Sequence, residues 1–264
     1  MKSYEPISAG KRKLYGGLRQ GKNRRKEGLF VMEGTRSVVD SAPAFEVEAV
    51  VATHAWLEAH EGELPKGLPK PLLAKNDEME RMSAMEAPQG VMAVCRIPQG
   101  TFTADYVPGR GELMMALDTV QDPGNLGTIV RIADWYGIRR IFASKGTADI
   151  FGAKAVQATM GAVARVEVVY CDLAETLGRL KDGGTAVYGT FLDGEDIYGT
   201  ELTEGGVIVM GNEGNGISDE VGRSVTKRLF LPPYPAMKSG MESLNVAMAA
   251  AITVAEFRRR VTNV

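Results

Sequence analysis

The chain has 264 residues, of which 44% are hydrophobic and 24% charged, a balance that supplies a sizeable core for one large or two modest domains. Its net charge of −2 excludes a generally basic nucleic-acid coat, and it contains no apolar run long enough to span a membrane or to form a signal-peptide core. Its two histidines, His54 and His60, and two cysteines, Cys95 and Cys171, lack metal-ligand spacing, which argues against a metal site or a His-based triad; unpaired cysteines suit a reducing compartment, so the location reads as cytoplasmic.

Residues 1–28 carry nine basic side chains, Lys2, Lys11, Arg12, Lys13, Arg19, Lys22, Arg24, Arg25 and Lys26, against Glu5 and Glu27. Such a segment can neutralise phosphates and position a nucleic-acid strand without reading its sequence. It can equally be a solvated amphipathic helix or a frayed terminus. Beyond it, residues 29–32, 47–52 and 90–95 read as strands, with helical periodicity at 36–41 and 77–85, giving a small α/β domain over residues 1–98. Breakers then concentrate in Ile97-Pro98-Gln99-Gly100 and Val107-Pro108-Gly109-Arg110-Gly111, which marks residues 99–111 as a linker.

From residue 112 to 264, short apolar runs alternate with helix-period segments. Strands are predicted at 113–117, 140–143, 166–170, 186–191, 207–210 and 229–231, and helices at 126–136, 153–160, 173–180, 217–224 and 243–260. This alternation predicts an α/β domain with a mainly parallel sheet covered on both faces.

Three stretches of this second domain carry chemistry. After the first strand, Asp122-Pro123-Gly124 turns the chain, Asn125 is placed to cap the next helix, and Leu126, Ile129, Val130 and Ala133 form its sheet-facing stripe, leaving Arg131 off it. In Gly211-Asn212-Glu213-Gly214-Asn215-Gly216, three glycines let backbone approach a ligand closely, although a tight strand-to-helix turn explains them as well. The order G-x-x-G-x-G is not a dinucleotide fingerprint, and the Gly-Lys-Ser/Thr of a phosphate loop is missing. Finally, Leu231-Pro232-Pro233-Tyr234-Pro235 holds an extended path into the last helix, with Ser243 at or near its N-cap. Leu244, Ala247, Met248, Ala251, Ile252 and Ala255 give that helix a wide apolar face, suited to a subunit contact or to the interior of a monomer.

In this order the three stretches resemble the motifs of the SpoU/TrmH-type RNA ribose 2′-O-methyltransferases of the SPOUT superfamily: Asn125, Gly127 and Arg131; Gly211, Glu213 and Gly214; Ser243-Leu244-Asn245-Val246. Residues 22–34 are similar to the family's N-terminal substrate-binding domain. The resemblance implies a trefoil-knotted SPOUT-like domain over 112–264, a smaller N-terminal RNA-binding domain, and a homodimer whose active site draws on both subunits. It implies S-adenosylmethionine as cofactor, held near Thr190, Gly211, Leu231 and Leu244, and RNA contacts through Lys22, Arg24, Arg25 and Lys26. The implied catalytic group is Arg131, as proton acceptor or as a charged clamp on the substrate, with Asn125, Glu213, Ser243 and Asn245 orienting it and the ribose. One departure is the longer loop at 233–242, where the family runs more directly into Ser-Leu-Asn. Ribosomal RNA is the expected substrate; transfer RNA, or a non-catalytic ribosome-assembly factor of the same fold, are the alternatives.

Overall fold

The computed structural model describes residues 3–100, 102–234 and 243–261. The chain forms two compact units: Met1–Gln99 with Asp149–Ala164, and Gly100–Ala148 with Arg165–Val264.

In the first unit the basic N-terminal segment is helical, as α1 (Ala9–Gly17) and α2 (Gly21–Glu27). The second helix ends on Gly28, whose φ of +66° is the left-handed conformation that closes a helix without a Cβ clash. There follow β1 (Leu29–Glu33), β2 (Val47–Thr53), α3 (His54–His60), β3 (Leu72–Ala74), α4 (Asn76–Met82) and β4 (Val91–Arg96). The sheet order is β1-β4-β2-β3, antiparallel except for the β2/β3 pair. Tyr15, Leu18, Val51, Met79, Met82, Met92 and Val94 fill its core. Against β1 packs α5 of a later segment, Ala153–Ala158, with Phe151 touching Phe30 at 4.8 Å between ring centroids. Chain order had suggested that this helix belongs to the second domain; it is a member of the first unit.

The second unit holds β5 (Leu113–Leu117), α6 (Pro123–Trp135), β6 (Arg140–Ser144), β7 (Glu167–Cys171), α7 (Leu173–Asp182), β8 (Val187–Asp196), β9 (Gly206–Met210), α8 (Asp219–Gly222), β10 (Lys227–Phe230) and α9 (Val246–Val261). All six strands are parallel, in the order β10-β8-β9-β5-β6-β7. The central pair, β5 and β9, is buried on every residue, as a strand covered on both faces must be. From β5 the chain builds outward through β6 and β7, then returns to the other side of β5. The loops after β5 and β9 therefore leave the sheet side by side at a reversal of strand order, the place where open α/β sheets form a ligand crevice.

The stretch expected to be a linker is in part bound to this unit. Phe102 is 5% exposed and packs on Phe142, and the Tyr106 hydroxyl donates to Glu112 at 2.7 Å. The knot implied by the resemblance depends on the path from β10 to α9; residues 235–242 of that path, most of the longer loop, lie outside the described residues. No helix among the described residues is long and apolar enough to cross a membrane.

Candidate active site

Asp122, not Asn125, caps α6: its carboxylate accepts the Asn125 backbone N–H at 2.7 Å, and Pro123 follows in the first helical turn, where its missing N–H costs nothing. This correction frees the Asn125 side chain. Its Nδ2 donates to Glu213 Oε1 at 3.0 Å, and its Oδ1 accepts from Asn245 Nδ2 at 3.0 Å. Asn245 in turn accepts the backbone N–H groups of Ala247 at 2.9 Å and Met248 at 3.4 Å, so it, and not Ser243, caps α9. Ser243 is exposed and has no hydrogen-bond partner among the described residues. One residue from each of the three motifs is thus linked in a single chain of donors, running from the N-terminus of α9 to a carboxylate.

Glu213 is carried on the loop after β9. At Gly211 an added Cβ would sit 2.2 Å from the Gly216 carbonyl carbon and 2.3 Å from the Ile217 nitrogen, so no other residue fits the turn. Asn212 and Gly216 close the loop with reciprocal backbone bonds of 2.8 and 3.0 Å. The Glu213 carboxylate also accepts from the backbone of Gln121 and Asp122, each at 3.4 Å. Partial burial pushes its pKa up, but the donors Asn125, Asp122 and Gln121 outweigh this and hold it below the ordinary carboxylate value.

Arg131 lies on the exposed side of α6, off the stripe of Leu126, Ile129, Val130 and Ala133, all fully buried. Six residues of helix put it about 9 Å along the axis from Asn125. Among the described residues it has no hydrogen-bond or ion-pair partner; Glu213 holds Asn125, not Arg131. Thr190 follows the part of β8 that pairs with β9, at the level where Gly211 leaves β9, whereas Leu231 follows β10, which after a register shift pairs with Glu195 and Asp196 on the far side of β8. The Thr190 hydroxyl donates to the Val209 carbonyl at 3.5 Å, and Leu244 is exposed beside Asn245. The Thr190 hydroxyl and the strand-end backbone at Gly211 are groups suited to a neutral nucleoside, and the ionised Glu213, two residues on from Gly211, suits a cation attached to it.

Three residues with supporting roles were missed: Asp118, whose carboxylate accepts the Ser218 N–H at 2.8 Å; Thr119, with a left-handed φ of +58°; and Asn212. Asp118 and Thr119 directly follow a strand, which was the available signal. In the first unit Lys22, Arg25 and Lys26 are exposed on α2, with Lys26 paired to Glu27 at 3.0 Å. Arg24, expected to contact RNA, is instead turned inward: it is 6% exposed, binds Asp149 through Nε and Nη2 at 3.1 and 2.6 Å, and donates to the carbonyls of Leu18 and Arg19.

Residues 112–255 match the SpoU rRNA methylase family, and residues 13–93 match the MRM3-like substrate-binding domain. The chain belongs to the SpoU rRNA methylase family. It is 31% identical over 261 residues to the 23S rRNA (guanosine(2553)-2′-O)-methyltransferase RlmP of Bacillus subtilis, covering 98% of this chain and 100% of that protein. A structure from Porphyromonas gingivalis, assigned to the TrmH family of RNA methyltransferases, superposes with a TM-score of 0.82 at 39% identity over 96% of this chain and 99% of the other. An AdoMet-bound rRNA methyltransferase from Sinorhizobium meliloti superposes with a TM-score of 0.81 at 27% identity over 99% of both chains. In the SpoU domain of this chain, the matched segment contains Asn125, Arg131, Glu213, Ser243 and Asn245.

Proposed function

We propose that this SpoU-family chain transfers a methyl group from S-adenosylmethionine to a ribose 2′-hydroxyl of ribosomal RNA. The observation that carries the reading is the hydrogen-bonded series Asn245, Asn125 and Glu213, which unites three motifs 88 and 120 residues apart. Thr190, Gly211, Leu231 and Leu244 would hold the cofactor, which supplies a methyl group already activated on a positively charged sulfonium. The cofactor would give its methyl carbon to the 2′-oxygen and keep the carbon–sulfur electron pair on sulfur, and the hydroxyl proton would pass to solvent water.

The protein's task is then to align the nucleophile, since orientation supplies much of the rate in such a displacement. Asn125 and Asn245 each keep a second amide hydrogen to direct at the ribose. The Arg131 guanidinium acts as a clamp that stabilises the negative charge growing on the 2′-oxygen. Its exposure, with no partner among the described residues, fits service to the site of a second copy. Trp135, 83% exposed on the same helix, and Met248, 59% exposed on the adjoining α9, support a homodimer through this face. Lys22, Arg25 and Lys26 supply sequence-independent phosphate contacts. A cytoplasmic location fits the substrate and the two buried free cysteines.

Arg131→Ala tests the central assignment: transfer of tritiated methyl to RNA is lost, while calorimetric titration finds cofactor affinity nearly unchanged. A fully active Arg131→Ala protein rules the assignment out. Mapping ribose methylation in cellular RNA with and without the protein identifies the nucleotide.

A further inference from the structure

The motif around Glu213 leaves its second position open, and the side chain there bonds both to its own loop and to the loop after β5. Asn212 Oδ1 accepts the backbone N–H groups of Gly214 at 2.9 Å and Asn215 at 3.0 Å, bending the chain around Glu213. Its Nδ2 donates to the Thr119 carbonyl at 2.7 Å and lies 3.5 Å from Glu213 Oε2. Asn212 therefore fastens the loop after β9 to the loop after β5.

That second loop is itself fixed. Thr119 adopts a φ of +58°, a region uncommon for a β-branched residue, and its N–H is held by Ser144 Oγ at 2.8 Å. The same turn aims the Gln121 and Asp122 amides at Glu213. Only an amide satisfies these demands: aspartate has no hydrogen for the Thr119 carbonyl and would place a second negative charge beside Glu213.

We infer that Asn212 is a positioning residue for the methyl transfer: by tying the Glu213 loop to the Thr119 carbonyl it sets the carboxylate that orients the Asn125 amide toward the substrate ribose. The activity arm of this inference rests on the function proposed above; the geometric arm does not.

Two measurements on the full chain decide it. The first follows the Asn125 side-chain amide by ¹⁵N–¹H correlation, with Asn125→Asp used to assign the signal. Asn212→Ala is expected to move this resonance although the residues share no bond; an unmoved resonance overturns the inference, whether or not the protein methylates RNA. The second measures methyl transfer by Asn212→Ala, Glu213→Gln and the double variant. Asn212→Ala should lower kcat about tenfold or more, with KM for RNA within about threefold, and should add little in the Glu213→Gln background, as expected of residues acting as a unit. Fully multiplicative losses, or an unchanged kcat, overturn the inference. A wild-type protein that transfers no methyl defeats the functional proposal instead and leaves the amide resonance to judge Asn212. If thermal melting shows that Asn212→Ala does not fold, Asn212→Ser, whose hydroxyl still accepts from the loop amides, takes its place in both measurements.

Discussion

Glu213 is surrounded by amide donors, and among the described residues no cation pairs with it. A carboxylate so placed serves as a fixed acceptor that keeps the Asn125 amide from turning. Glu213→Gln keeps the size but lets an N–H₂ face another N–H₂, so we expect kcat to fall about 10- to 100-fold, the range of a hydrogen bond to a charged group. Because folding lowers this pKa, the contribution of Glu213 is fully present above its ordinary value of 4.5 and fades only as pH drops below that point. The pH–rate profile of the wild type should accordingly show no acid limb from this group between about pH 5 and 8, and an acid limb near neutrality that disappears in Glu213→Gln would contradict the assignment. Asn125, Glu213 and Asn245, which the structure links, were named through the resemblance of three ordered motifs to a family; spacing alone left them readable as caps and a tight turn. Their bonds were not legible: Asp122 and Asn125 both have cap-competent side chains, and only the position of Pro123 in the first turn signalled which of them begins the helix.

Among the elements, α9 joins stability to the proposed chemistry, since Asn245 both caps the helix and donates to Asn125. Asn245→Ala should cost about 1 kcal/mol of stability, the usual worth of an N-cap, and its loss of methyl transfer should exceed what that destabilisation explains. Thermal melts beside the transfer assay check this; activity falling only in step with the folded fraction would reduce Asn245 to a cap. The strands of the parallel sheet were legible as apolar runs, β5 to the residue, because burial on both faces leaves little room for polar side chains. What escaped notice had a physical reason. Three residues of β3 are too short to show a period, and over α1 and α2, where a helix was one of the readings, charge hides the few side chains they bury. The end of β8 was missed because Asp193-Gly194-Glu195-Asp196 reads as a polar loop, although Glu195 and Asp196 pair with Leu229 and Phe230 after a register shift.

At the scale of the whole molecule, the division into units does not follow chain order, because Asp149–Ala164 leaves the sequence of the second unit to complete the first. Periodicity reports that 153–160 is helical but not which sheet receives it, so the chain alone could not reveal this. The tie is electrostatic as well as apolar: Asp149 accepts two bonds from the buried Arg24 guanidinium, and its other oxygen accepts the Phe151 N–H at 2.9 Å. Asp149→Ala leaves a buried cation without its counter-charge. Complete burial would make the loss about 3–5 kcal/mol; with the Asp149 side chain 34% exposed, we expect about 2–3 kcal/mol from the first unit. Urea unfolding followed by the fluorescence of Trp56, which lies in the same unit, measures this loss, and Arg25→Ala supplies the control. Arg25 is exposed on the same helix one residue away, so its removal should weaken RNA binding, more at low salt than at high, while leaving the unfolding midpoint in place. Equal effects of the two substitutions on stability would mean that the basic helix is held by its charge as a whole and not by the single buried guanidinium.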